Sequence, residues 1–304
     1  MITKYQKKYS VWLDLNLPTR DEIEIISKDY NLDPSIADDL LNPTPKQKVS
    51  LSGALLYVVI HIPVFKHSHS GIYSQGNEQE IDFVIGRKML ITIHYDTIDA
   101  IYKYSKAVEV KEMLEREEGG NHAFVEIMIE IYKSLFDELA YIEDQLREIE
   151  KKIFQEREKE MVLSISNIGR NLLNFRRIIE LHGEILEELK MLGTPILGKK
   201  FDSEINELIL EWQRLSKSAE NHTAFIHELR ETNNSLLSTK QNEIMKMLTV
   251  LAFLTLPASL IASIFNMSTS LPLVGEPYDF EIVISMMIFA SACMFLLFKY
   301  KKWL

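Results

Sequence analysis

The sequence predicts an α+β membrane protein: an N-terminal α/β domain, then long antiparallel helices, then a long stalk helix that continues into the first of two spans. Three observations predict it. The C-terminal end holds two uncharged apolar runs joined by a short loop, apolar residues recur at three and four from Asn121 to about Leu192, and β-rich runs are confined to the stretch before Tyr95.

The N-terminal domain is expected over residues 1–118, ending at Gly119-Gly120. Val11-Trp12-Leu13-Asp14-Leu15 alternates as a half-buried strand does, and Pro18-Thr19-Arg20-Asp21-Glu22 has the composition of an acidic, capped helix start. Two β-rich runs follow, Ala54 to Phe65 and Ile81 to Tyr95, with a polar hairpin loop from Lys66 to Gln79 between them and a tight turn at Gly86-Arg87 within the second. A helical pair is expected over 119–200. Phe124, Ile127, Ile131, Leu135, Leu139, Ile142, Leu146 and Ile149 form one apolar stripe, with charged residues on the other faces. The pair should break somewhere around Arg157 to Ser164, and Gly193-Thr194-Pro195 should end its second helix. From Ser203 no Gly or Pro occurs before Pro257, so one helix can run from a stalk at 201–246 into the membrane. Ser203 to Phe265 would then be about 95 Å long.

The first span, residues 247–265, would cover about 28 Å at 1.5 Å per residue, close to the hydrocarbon thickness of a bilayer. The second, 282–298, lies at the short end of the spanning range. Both can cross as helices, which satisfy their own backbone groups. Lys240 and Lys246 precede the first span and Lys299, Lys301 and Lys302 follow the second, as the basic tail 299–304 begins. The loop 266–281 carries only Glu276, Asp279 and Glu281 as charged residues. The positive-inside rule therefore places both termini in the cytoplasm of a multi-pass protein of the cell (inner or plasma) membrane, with a short external loop. Met1 to Ser10 has no secretory-signal pattern, so the internal spans are expected to direct insertion.

Composition excludes several functions. The single cysteine, Cys293, lies inside the second span, which leaves neither a disulfide framework nor a thiolate zinc site. A net charge of −10 argues against a nucleic-acid partner and is compatible with cationic ligands. No nucleophile with its base, no phosphate-binding glycine loop and no HExxH motif is present, so no enzyme is expected.

Two spans in one protomer cannot enclose an aqueous path, so conduction would require oligomerisation around one of them. Stepping by seven through the first span gives Asn242, Thr249, Leu256 and Ser263 on one stripe and Met245, Ala252, Ser259 and Asn266 on the next. The second span has only Ser285, Ser291 and Cys293 as weakly polar residues and reads as lipid-facing. Small and hydroxylated residues also let membrane helices pack closely, and on pattern alone that is the commoner explanation.

A resemblance shifts the balance. Gln241-Asn242-Glu243-Ile244-Met245-Lys246-Met247-Leu248-Thr249-Val250-Leu251, Pro257, Ile261-Ala262-Ser263-Ile264-Phe265 and the terminal Lys301-Lys302-Trp303-Leu304 resemble the CorA family of divalent-cation channels. Trp12-Leu13-Asp14-Leu15 with Pro18-Thr19, and Asp38-Asp39-Leu40-Leu41-Asn42-Pro43 before Lys48-Val49, do so as well. The resemblance implies a homopentamer with a funnel-shaped cytoplasmic domain, five stalk helices continuing as pore-lining first spans, and five second spans outside them. It implies an amide ring at Asn242, apolar constrictions at Leu248 and Leu256, and hydroxyls from Thr249 and Ser259. Glu204, Glu207 and Glu211 fall where the family places regulatory cation sites between subunits, although acidic residues on a helix are more often simply solvated. His67-Ser68-His69, in the polar loop, reads as surface rather than as an imidazole site.

One departure stands out. Family members carry Gly-Met-Asn directly after an aromatic residue at the outer end of the first span, whereas here Phe265 is followed by Asn266-Met267-Ser268. Mg²⁺ gives up water reluctantly, so a ring of amide oxygens can read the hydrated ion, and a serine ring is wider and less discriminating. Two functions from different classes follow. One is a channel for divalent cation influx, with Mg²⁺ the default and Co²⁺, Ni²⁺ or Zn²⁺ as alternatives, in which the cation is substrate and possible regulator. The other is a membrane sensor or effector derived from the same family, gated by another ligand and conducting poorly or unselectively. A purely structural scaffold fits the polar stripe least.

Overall fold

The computed structural model describes residues 2–6, 10–64, 78–111, 119–266 and 278–301. The chain divides into two compact units, Met1–Arg230 and Glu231–Leu304.

Unit 1 is built on a six-stranded sheet in the order β1-β2-β6-β5-β4-β3. The strands are β1 (Ile2–Gln6), β2 (Val11–Asn16), β3 (Lys48–Ser52), β4 (Leu55–Pro63), β5 (Glu78–Ile85) and β6 (Met89–His94). Only β2 and β6 run parallel, with Val11 opposite Met89 and Asn16 opposite His94; the other pairings are antiparallel. The expected strand at Val11 and the two β-rich runs are present, and the turn at Gly86 is closed by its N–H donating to the Met89 carbonyl. The edge strands β1 and β3 are additions to the expected set. Each is mostly polar, and β1 exposes alternate residues, so neither has the apolar signature of a strand. The ring of Tyr5 on β1 stacks on Trp12 of β2 at 4.5 Å between centroids.

On one face of the sheet, Leu13, Leu15, Tyr57, Val59, Val84, Ile91 and Ile93 pack against Ile23 and Ile26 of α1 (Arg20–Tyr30) and Ile36 of α2 (Pro34–Asp39). The start of α1 is fixed as expected. Thr19 Oγ1 accepts from the Glu22 N–H, and Glu22 returns a carboxylate to the Thr19 N–H, a capping box worth about 1 kcal/mol. The other face is covered by α4 (Gly120–Phe154) and α5 (Glu158–Leu197), and Phe83 meets Phe124 edge-on at 5.0 Å. With both faces covered, β4 is buried along nearly its whole length, and it reads as a continuous apolar run rather than an alternation. A further helix, α3 (Asp99–Lys111), lies against α4, where Tyr104 Oη donates to Glu126.

The chain turns between α4 and α5 at Gln155-Glu156-Arg157, with Glu156 at φ 66°, at the near edge of the break expected around Arg157 to Ser164; the end of α5 differs from expectation. Gly193-Thr194-Pro195 does not end α5, which continues to Leu197 and stops at Gly198 with φ 94°. Pro195 lies in the last turn, where its missing N–H removes only one helical bond. Gly193 serves packing: a Cβ there would lie 2.4 Å from the Phe201 ring. The next helix, α6 (Lys199–Phe265), runs unbroken through Pro257. Its first turns bury Phe201, Ile205 and Leu208 in unit 1. Unit 2 contains the rest of α6 and α7 (Asp279–Tyr300).

Candidate functional site

The apolar segments of α6 and α7 are not core helices of a soluble domain. Their most hydropathic windows average 2.1 and 2.2, yet only 6% and 0% of those windows is buried by protein. A helix with that much unscreened apolar surface needs lipid or other chains around it.

Within unit 2 the two helices meet along one side of α6. Leu254 and Ala258 line a groove with Ile284, Met287, Ile288 and Ser291 of α7. Phe253 lies 5.9 Å from Phe298, and Ser291 Oγ donates to the Leu254 carbonyl at 3.1 Å. That last bond falls beside the stretch where Pro257 leaves the α6 ladder one donor short. Ser285 instead satisfies its hydroxyl on its own helix, at the Glu281 carbonyl. The less exposed residues of α6 here are Thr249, Val250, Leu254, Pro257, Ala258, Ile261 and Phe265. At about 100° per residue all but Thr249 fall within roughly 50° of one direction.

The predicted ion-path residues lie on the other side. Leu248, Leu256, Ser259, Ser263 and Asn266 are all exposed, and by the same count they centre roughly opposite the α7-facing direction. Asn242 is also exposed, one turn before the apolar segment. Thr249 is half-buried and donates its hydroxyl to the Met245 carbonyl at 2.8 Å. Helical bonding reaches Asn266, whose N–H donates to the Ala262 carbonyl. Met267 and Ser268, the rest of the predicted mouth, lie outside the described residues, as do His67 and His69. One chain thus presents a stripe of amide, hydroxyl and leucine side chains that, Thr249 apart, is exposed among the described residues.

The three acidic stalk residues divide. Glu204 is mostly buried and accepts from His122 Nδ1 at 2.8 Å, with Lys200 at 3.6 Å, so its charge is already engaged within the chain. Glu207 is exposed, and Glu211 accepts from Arg214 at 2.7 Å. Among the described residues no three His, Cys, Asp or Glu side chains converge into a metal site within one chain. The His122 partnership escapes sequence reasoning, because the two residues are 82 positions apart and neither lies in a recognisable motif.

The family described as CorA-like Mg²⁺ transporter protein matches residues 7–301. The cobalt/magnesium transport protein CorA of Methanocaldococcus jannaschii is 24% identical over 300 residues, covering 97% of this chain and 91% of that protein. The cobalt/magnesium transport protein CorA of Thermotoga maritima is 20% identical, covering 96% and 83%. The complete structure of the M. jannaschii CorA magnesium transporter superposes with a TM-score of 0.83 over 99% of this chain and 93% of that one, at 22% identity.

Proposed function

The chain belongs to the CorA-like Mg²⁺ transporter family, and from that premise we propose that it forms a homopentameric channel carrying divalent cations into the cytoplasm. Mg²⁺ is the expected ion, with Co²⁺, Ni²⁺ or Zn²⁺ as alternatives. The observation that carries this reading is the uncovered polar stripe of α6, opposite the side that meets α7.

Five copies of α6 around an axis would turn that stripe into a conduit. Asn242 supplies an amide ring at the cytoplasmic entrance, and Leu248 and Leu256 supply apolar rings that close by dewetting. Thr249, Ser259 and Ser263 supply hydroxyls, and Asn266-Met267-Ser268 forms the outer mouth. Oxygens at these positions contact the first hydration shell rather than the ion itself, because Mg²⁺ keeps most of its water. In this reading α7 faces lipid, the loop with Asp279 is external, and Lys301 is internal.

Regulation by a cation held between stalks falls to Glu207 and Glu211. Glu204 contributes through His122 within its own subunit. A hydrated cation shared between neighbouring stalks would offset like-charge repulsion and stabilise the closed form by mass action.

Purified protein in liposomes tests the proposal. Influx of Mg²⁺ that depends on the protein, from particles whose mass corresponds to five chains, supports it. A monomer in gentle detergent, or liposomes that pass no divalent cation, refutes it.

A further inference from the structure

Unit 1 contains a buried polar cluster that the transport reading does not use. It lies where β4 and β5 meet the loop after α2. Glu80 takes the Thr44 N–H on both carboxylate oxygens, at 2.8 and 2.7 Å, and the Thr44 hydroxyl at 3.0 Å. His61 Nε2 donates to the Thr44 carbonyl at 3.0 Å and lies 3.5 Å from Glu80, with Nδ1 3.8 Å from Glu78. One residue of the loop is thus held at its N–H, its C=O and its side chain.

Two positions along β5, on the same face as Glu80, lies Asp82. It is fully buried; Tyr57 Oη donates to Oδ2 at 3.2 Å, while Oδ1 has no hydrogen-bond partner among the described residues. Lys48, whose ammonium lies over the Tyr57 ring, is bonded to Asp39. Tyr95, also close, donates its hydroxyl to the Leu40 carbonyl. Among the described residues Asp82 has no ion-pair partner; a second buried carboxylate beside Glu80 is costly, and a proton on the bare oxygen removes that cost.

We propose that His61, Glu80 and Asp82 form a proton-binding latch, which fastens the loop around Thr44 to the sheet when protonated and releases it as protons leave. The shifts agree in sign. Burial, then the charge and hydrogen bonding of Glu80, hold the Asp82 carboxyl well above its usual range. For His61, burial pushes the imidazole down, but Glu80 and then Glu78 outweigh it and hold it above its usual value. Both groups are raised in the folded state, so the stability each contributes is lost as pH rises toward its folded value.

The latch also reaches α5. The His61 carbonyl accepts from His182 Nε2 at 2.8 Å, Gln47 donates to the Ile178 carbonyl at 3.2 Å, and Arg177 meets Glu78 at 3.3 Å. The proposal rests on this geometry and is independent of what the channel carries.

Hydrogen–deuterium exchange on the full-length protein in detergent, corrected for intrinsic exchange chemistry, tests it. Peptides spanning 40–47 should open up to about tenfold more per pH unit for each proton released as the pH is raised from the acid side of the ordinary histidine value, while α4 peptides do not. Asp82→Asn keeps the Tyr57 hydrogen bond and should flatten that slope. Infrared spectra of the unmodified protein supply a readout that needs no variant. A protonated carboxylic acid band should disappear over the same pH range in which the loop opens. A loop whose exchange follows that of α4, or the absence of such a band, overturns the proposal.

Discussion

Gly183→Ala should destabilise unit 1, although the same change in an ordinary helix would help. Alanine is favoured over glycine inside a helix by about 1 kcal/mol. At this position a Cβ would lie 2.4 and 2.5 Å from two carbons of the Trp212 ring on α6. The indole cannot simply tilt away, because Nε1 donates to the Ile179 carbonyl at 2.7 Å. Overpacking of this kind costs about 1–3 kcal/mol, and loss of the hydrogen bond about 1 more. Subtracting the propensity gain leaves a net loss of about 1–3 kcal/mol, or about 2–4 °C in Tm for each kcal/mol. Thermal melts of the detergent-solubilised protein measure it, compared with the same substitution in a Trp212→Leu background. If the ring is the obstacle, the double variant recovers most of the loss. A Gly183→Ala protein that melts higher than the parent, or an equal loss in both backgrounds, refutes the reasoning.

Burial lowers the His182 imidazole from 6.5 to about 4, and the neutral ring sits between Tyr132 Oη and the His61 carbonyl. A depressed value means that the unfolded chain takes the proton first. The contribution, up to about 3 kcal/mol, should be lost as pH falls from 6.5 toward 4; melts in that window that show no such decline count against it. Removing divalent cations should increase protease cleavage in the stalk region, and Glu207→Ala should mimic removal. Glu204→Gln should weaken the fold equally with and without millimolar Mg²⁺, since its partner is His122. At the mouth, Asn266→Gly with Ser268→Asn should raise the preference for Mg²⁺ in liposome flux, whereas Ser268→Ala alone should do little. The opposite pattern would make the serine the ion reader.

Much of this was legible in the sequence because the signals are local or periodic. Thr19 and Glu22 announce a capping box three residues apart, and the α4 stripe from Phe124 to Ile149 is buried as its spacing predicts. The two spans declare themselves by composition, and the stripe from Asn242 to Asn266 by its heptad step. What stayed hidden depends on long-range partners. β1 and β3 are strands because β2 and β4 pair with them, not because Ile2–Gln6 or Lys48–Ser52 are apolar. Gly193 and Pro195 have the composition of a helix end, yet Phe201 needs the space that Gly193 leaves. Glu80 and Asp82 are alternate residues of one strand, and only the fold brings Thr44 and His61 to Glu80. The family resemblance groups Glu204 with Glu207 and Glu211, and a histidine 82 positions away separates it from them.

The central claim is that the face of α6 turned away from α7 lines a water-filled path. Single cysteines in a Cys293→Ser background test it most directly, by their reaction with a charged, water-soluble thiol reagent during Mg²⁺ flux in liposomes. Cysteines at Leu256, Ser259 and Ser263 should react and block flux, whereas cysteines at Leu254, Ala258 and Ile261, which face α7, should do neither. Block at Leu254 and Ala258 with none at Leu256 or Ser263 would contradict the account.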